Sequence, residues 1–468
     1  VDGGEQSGPF VIKDGDKHQI LFMSNHDEGK YGLWKMTIKP FEKRETKKIA
    51  DGYTRQIVKA GDGVFILMRG SIYSLNMKSG KLNQVEMDYS FEKSLGDEFR
   101  QMFYENWAVL AENFYDESYH GVDWKKMKAH YEQFLPHLRT RENLRQLLND
   151  MLGELNASHL GFSSQGDEED TYYGTHTAET GIYFSESDPF IVEKVVAKSP
   201  LDITEMPVEK GDKLKAVNGV LVNTADNRNK YFTFTELKEE LKLTFLRGKE
   251  EIDVFVHPGS SSRFDNLLCD EWVENNQKRV DEKSEDRIAY VYMKNMGGGS
   301  LNDFLIDMTT EAVHRDALIL DLRYNRGGNV HDDVLQFISQ QPYLQWKFRD
   351  GKMSPQPNFA PAAKPIVLLM NEHSLSDAEM TAAGFKALDL GTIVGTETYR
   401  WIIFTSGTAL VDGSWTRLPV WGCYDLNGND LETTGVKPDI YIENTFKDRL
   451  EGEDPQLDKA IEIILEQL

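Results

Sequence analysis

Three near-continuous apolar runs in the last third of the chain restrict its fold more than any other feature: "RIAYVYM" from Arg287, "ALILDLR" from Ala317 and "PIVLLM" from Pro365. A strand with one face in water alternates apolar and polar residues. A strand that is apolar at successive positions must be covered on both faces, as in parallel sheets layered with helices. Helix-like segments separate the runs, namely "SLNDFLIDMTTEAV", "DDVLQFISQ" and "AEMTAAGFKAL". Such alternation calls for βαβ crossovers and a mostly parallel sheet. Ligands of these sheets sit beyond the carboxyl ends of the strands, so the loops 324–330 and 371–376 are where chemistry is expected.

The rest of the chain reads differently, and the whole is expected to be a multidomain α/β protein. Residues 1–90 carry short strands between Gly and charged turns, and Leu33, Trp34 and Met36 reappear at a constant offset as Ile72, Tyr73 and Leu75. That offset is near the ~40 residues of one propeller blade, so a truncated, propeller-like β region is expected, with a small sheet packed on the rest as the competing reading. In residues 91–172, Phe99, Met102, Phe103, Trp107, Leu110 and Phe114 recur at helical spacing, as do Leu144, Leu147, Leu148, Met151, Leu152 and Leu155. This predicts a small helical domain whose end, "NASHLGF", takes Ser158 and His159 off the apolar stripe. Residues 173–260 return to strands, and "GDKLKAVNG" from Gly211 places one turn at Gly211–Asp212 and another at Asn218–Gly219. The stretch resembles the PDZ domain, where it reads G-D-x-[IL]-x-x-[VI]-N-G, and an ordinary small β-domain is the competing reading. Residues 261–468 hold the α/β domain.

Charge and cysteine content exclude several functions. With 53 Lys+Arg against 77 Asp+Glu, the net charge of -24 repels phosphate backbones and anionic lipid, which argues against nucleic-acid and membrane-surface partners. No apolar run approaches the roughly 20 residues that span a bilayer, so no membrane insertion is expected. Cys269 and Cys423 are the only cysteines, too few for a disulfide framework or a Cys-based zinc site. A start at Val1, without an initiator Met or signal-like region, reads as a processed product or a piece of something longer.

Ser376 stands in "NEHSLSDAEM", where Ser-x-x-Glu with Glu379 is also a helix capping box. On this motif alone, a cap is the commoner reading and a nucleophile the rarer one. The second loop, "DLRYNRGGNV", raises the nucleophile reading, because adjacent Gly327 and Gly328 after a buried strand let backbone N–H groups face a developing negative charge. A tight connection or a phosphate cradle is the alternative, although the Lys-Ser/Thr of a P-loop is missing. A serine also needs a base, and His373, His331 and His159 are among 11 histidines between which pattern alone does not choose.

The order of these parts, "SHL", the PDZ-like stretch, "DLRYNRGG", "NEHSLSD" and "ETTGVKPDIYIE", resembles the C-terminal half of the tricorn protease family over residues 91–468. The resemblance implies a serine peptidase with Ser376 as nucleophile, His159 as general base and Ser158 and Glu432 completing a tetrad. The amides of Gly328 and Asp377 would form the oxyanion hole. It implies no cofactor and no metal, a peptide or unfolded protein as substrate, a homo-oligomer, and a cytoplasmic location, with the periplasm left open by the start at Val1. More widely, the α/β layer resembles the crotonase superfamily, for which acyl-CoA processing is a third reading. The related C-terminal processing peptidases use a Ser-Lys dyad, but "GTETYRWIIF" has Arg400 and Trp401 and no Lys in that region, and Lys386 reads as a solvated helix residue. The tricorn family's Gly-rich turn after "VGT" is replaced here by "ETYRWII", so cleavage preference does not carry over. The functional alternative is a catalytically inactive, PDZ-type peptide-binding scaffold.

Overall fold

The computed structural model describes residues 4–27, 29–87, 92–170, 174–203, 208–235 and 240–468. The expected boundaries at 90/91 and 172/173 lie outside the described residues. Two compact units result, Val1–Lys93 and Ser94–Leu468.

The first unit contains two four-stranded antiparallel sheets, each with its strands in chain order, over Gln6–Asp51 and Thr54–Gln84. Leu21, Met23 and Leu33 of one sheet and Val64, Ile66, Met68 and Leu75 of the other share a single core. The repeated apolar triplet of the sequence falls on Gly32–Ile38 and Ser71–Leu75, each the third strand of its sheet.

The second unit starts with three helices, α1 (Leu95–Asn113), α2 (Trp124–Glu132) and α3 (Arg141–Gly153). Each has a side-chain N-cap, from Ser94, Asp123 and Thr140 respectively, so each start is written in its own sequence. Their apolar stripes meet in one core of Phe99, Met102, Phe103, Leu110, Leu144, Leu148 and Met151. A short strand, β1 (Gly161–Ser163), then leaves the bundle. Beyond it, Val220–Leu221, Lys213–Val217, Leu241–Arg247 and Glu250–Val256 form an antiparallel sheet in that spatial order. The turn at Asn218–Gly219 has φ of 50° and 79°, the left-handed pair that a two-residue hairpin needs, hence Asn followed by Gly.

Helix α4 (Ser261–Ser284) leads into the central sheet. Its parallel strands β2 (Ile288–Tyr292), β3 (Ala317–Asp321), β4 (Ile366–Met370), β5 (Thr392–Gly395) and the short Ile440–Tyr441 neighbour one another in chain order. Period-two alternation sorts their side chains. Val291, Leu320, Leu368 and Ile393 face the crossover helices α5 (Gly298–Thr310), α6 (His331–Ile338) and α7 (Asp377–Ala387). Tyr290, Ile319, Leu369 and Val394 pack on α4 and α8 (Pro455–Gln467) instead. Full burial of one such Leu or Ile contributes about 1.5–3 kcal/mol, so both faces must be covered for the sheet to persist.

After β5 the chain adds a hairpin, β6 (Phe404–Ala409) and β7 (Trp415–Trp421). Strand β1 pairs with β7 through Gly161, Phe162 and Ser163, giving a three-stranded sheet that docks the helical region on the α/β layer. Leu410 and Leu418 enter the helical core. Buried Asn106 donates to Thr416 at 2.8 Å, and Arg141 reaches Glu98, Glu168 and Asp412 at 2.7, 2.6 and 2.5 Å.

Candidate active site

Beyond the end of β4, two loops are stitched together before Ser376 is reached. Ser374 donates to the Leu322 carbonyl at 2.8 Å, the Tyr324 N–H donates to Asn371 Oδ1 at 3.1 Å, and the Leu375 N–H donates to the Asn325 carbonyl at 3.0 Å. Ser376 follows with φ 58° and ψ -120°, a backbone state that costs a non-Gly residue of order 1–3 kcal/mol and needs support. Fully buried Glu379 supplies it. Its carboxylate accepts from Ser376 N at 3.0 Å, Thr398 Oγ1 at 2.6 Å, Arg400 N at 2.8 Å and Trp401 N at 2.8 Å. Burial raises the Glu379 pKa above its ordinary value, and those four donors oppose the rise. The glutamate half of the capping box is therefore formed, whereas Ser376 Oγ makes no cap bond. It is turned toward His159.

His159 lies just past α3 in the left-handed region, φ 58°, on the short link between the helices and β1. Its Nε2 is 3.1 Å from Ser376 Oγ and its Nδ1 is 2.7 Å from Ser158 Oγ. Ser158 Oγ donates to Glu432 Oε2 at 3.0 Å, while Glu432 also accepts from Ser158 N at 2.7 Å and Ile402 N at 3.0 Å. A carboxylate can only accept, so the Ser158 hydroxyl hydrogen points to Glu432 and its oxygen lone pair faces Nδ1. Nδ1 then carries the ring proton, leaving the Nε2 lone pair for the Ser376 hydroxyl. Burial, followed by the charge of Arg417, pushes the His159 pKa down to about 4, so the ring is neutral at neutral pH.

Gly327 and Gly328 approach from the β3 loop. At Gly327, with φ 80°, a Cβ would stand 2.6 Å from the Ser376 Cβ and 2.9 Å from the Asp377 N. At Gly328 it would stand 2.0 Å from the Met296 carbonyl oxygen, so neither position admits a side chain without rearrangement. Among the described residues, the N–H groups of Gly328 and Asp377 have no acceptor. The Asp377 carboxylate ties the loops together, accepting from Val330 N at 2.7 Å, His331 N at 3.0 Å and His331 Nδ1 at 2.5 Å.

Of the three candidate bases, only His159 contacts Ser376 Oγ among the described residues. His331 serves Asp377, which raises its pKa through their hydrogen bond. His373 stacks on Tyr324 at 5.5 Å. Lys386 pairs with Asp439 at 2.8 Å. A cavity of about 800 Å³ opens beside Ser158, His159 and Glu432, walled by Tyr399 and Trp401. Among the described residues, no group of three His, Cys, Asp or Glu side chains could hold a metal, and no helix is long and apolar enough to cross a membrane.

Sequence reasoning passed over Asn325, Asn371, Ser374 and the wider role of Glu379. For three of them the signal was present in the spacing N-x-x-S-x-S-x-x-E, where Asn371, Ser374 and Glu379 bond backbone groups of the two loops. Arg417 gave no signal, because its influence on His159 comes through the pairing of β1 with β7.

Residues 287–442 match the model of Peptidase family S41, and residues 96–153 match the Tricorn protease C1 domain. Tricorn protease of Thermoplasma acidophilum is 27% identical over 400 residues, covering 80% of this chain and 35% of that protein. Tricorn protease homolog 1 of Streptomyces coelicolor is 29% identical over 382 residues, covering 79% and 35%. The crystal structure of the tricorn protease superposes with a TM-score of 0.82 at 23% identity, covering all of this chain and 47% of that one, which establishes a shared fold. This chain thus spans less than half the length of these relatives. The likeness to Peptidase family S41, a family of serine peptidases, is thus carried by residues 287–442, and the likeness to the Tricorn protease C1 domain by residues 96–153 ahead of them.

Proposed function

We propose that this chain hydrolyses peptide bonds through an acyl-enzyme on Ser376. The observation that carries the reading is the unbroken chain Glu432–Ser158–His159–Ser376, with every link a hydrogen bond of 3.1 Å or less. A hydroxyl becomes nucleophilic when a positioned imidazole removes its proton in the transition state, and the imidazole needs a partner that fixes its tautomer. Ser376 Oγ attacks the scissile carbonyl as His159 Nε2 takes its proton. The oxyanion falls between the N–H groups of Gly328 and Asp377. His159 then protonates the leaving amine, and water, deprotonated by the same nitrogen, releases the acyl group. Glu432 acts through Ser158, countering the charge that forms on the ring.

The antiparallel sheet within 173–260 is read as a PDZ-like module that adds a peptide as an extra strand to an open edge, and the strands of 1–90 as part of a propeller. Assembly into a homo-oligomer belongs to the same reading. The test is treatment with a fluorophosphonate probe and mapping of the labelled peptide. Label is expected on Ser376, absent in Ser376→Ala and reduced at least 100-fold in rate in His159→Ala. No label on a folded chain would sink the reading in favour of an inactive peptide-binding scaffold.

A further inference from the structure

On the flank of the Ser376 loop lies a second cavity, about 430 Å³, lined by Tyr324, Arg326, His373, Leu375, Tyr399 and Trp401. Rings make its walls: Tyr324 is stacked on His373 at 5.5 Å, and Tyr399 stands edge-on to Trp401 at 5.2 Å. Arg326 is the sole guanidinium or ammonium among the lining residues, and no carboxylate lines the cavity. Of the acids adjacent to these residues in the chain, Glu397 turns to Arg400, while Glu372 also lies 3.7 Å from His373 Nε2. Glu372 accepts from Thr396 at 2.7 Å, and Glu397 pairs with Arg400 at 3.0 Å. Among the described residues, Arg326 has no hydrogen-bond or ion-pair partner. Arg449 stands at the rim, 5.8 Å over the Tyr324 ring, and is paired with Glu372 at 3.9 Å. Arg326 is thus an exposed, unpaired guanidinium in a pocket that no carboxylate lines. The pocket also adjoins the reacting groups: Arg326 precedes Gly327, Leu375 precedes Ser376, and the Trp401 ring lies 5.6 Å from that of His159.

We propose that this cavity binds a carboxylate of the substrate and that Arg326 is the residue selecting it; the proposal rests on the peptidase reading of the site. A guanidinium presents a planar fork that matches a carboxylate in two parallel hydrogen bonds. The rings on either side cover the methylenes that carry the acid. Two sources offer this chemistry, an Asp or Glu side chain and the free C-terminus of the peptide.

Matched fluorescein-labelled hexapeptides separate them: a C-terminal amide with neutral side chains, the same amide with Glu placed at each position in turn, and the neutral peptide with a free C-terminal carboxylate. Affinity is read by anisotropy on the full Ser376→Ala chain, so turnover is not required. At least one acid-bearing peptide is expected to bind about tenfold more tightly than the neutral amide. That gain should vanish when Arg326→Ala is added, and Arg326→Glu should favour Lys in place of Glu. Equal affinities, no binding of any peptide, or a gain that survives Arg326→Ala would overturn the assignment. Phosphonate labelling of the wild type reports on the peptidase reading separately: label on Ser376 with equal affinities removes the carboxylate pocket and leaves the peptidase standing.

Discussion

At the scale of single residues, the proposed role of His159 as general base predicts the acid limb of activity. The ring must be unprotonated to accept the Ser376 proton, and burial with the Arg417 charge holds its pKa at about 4. Activity on peptide, or the rate of phosphonate labelling, is therefore expected to stay level as pH falls through 6.5 and to drop only near pH 4. Arg417→Ala removes the second cause and should move that drop to higher pH; a wild-type limb already centred at 6.5 would refute the assignment. The fold follows the same sign. A histidine whose folded pKa is depressed stabilises the fold fully above the unfolded value of 6.5 and loses that contribution as pH falls toward 4. The residues themselves were unequally legible. Ser376 stands in a local motif. His159 is separated from it by 217 positions, and nothing in the pattern of 11 histidines selects it without the resemblance, because the contact is made by docking rather than by local structure.

At the scale of elements, the turn from β4 into α7 is strained and depends on one carboxylate. Removal of the Glu379 side chain leaves the N–H groups of Ser376, Arg400 and Trp401 and the Thr398 hydroxyl without their acceptor. A buried donor without a partner costs about 1–3 kcal/mol, and the loop 398–401 can relax part of that by exposure to water. Glu379→Ala is therefore expected to lower stability in urea unfolding by about 2–4 kcal/mol and to slow labelling at Ser376 more than tenfold. Glu379→Gln should be milder in stability, since one acceptor oxygen remains. An unchanged unfolding midpoint for the alanine variant would show that the turn holds itself. The strands β2 to β4 were readable because burial on both faces leaves near-continuous apolar runs. The hairpin of β6 and β7 was not, since its partner β1 is three residues long and comes from a distant part of the chain. Such pairings leave no periodic trace in either segment.

At the scale of the whole Ser94–Leu468 unit, the site exists only while the helical region stays docked, because Ser158 and His159 come from one side and Ser376 and Glu432 from the other. Arg141 is central to that docking. It is 1% exposed and links Glu98, in the first turn of α1, and Glu168, beyond β1, to Asp412 in the turn of the β6–β7 hairpin. Removing one member of a buried ionic cluster is costly, about 3–5 kcal/mol, since the carboxylates left behind keep their charge and lose its balance. Arg141→Met keeps much of the volume and removes the charge, so the loss it causes is electrostatic rather than a packing defect. The α/β layer has its own two cores, one with α5 to α7 and one with α4 and α8, and does not draw on Arg141. Labelling at Ser376 in Arg141→Met is therefore expected to fall toward the level of His159→Ala while the α/β layer remains folded. Hydrogen exchange should show faster exchange in β1 and β7 with the amides of β3 and β4 unchanged. Full labelling in that variant, with β1 still protected, would mean that the Leu410, Leu418 and Phe162 contacts hold the two parts together without the ionic cluster.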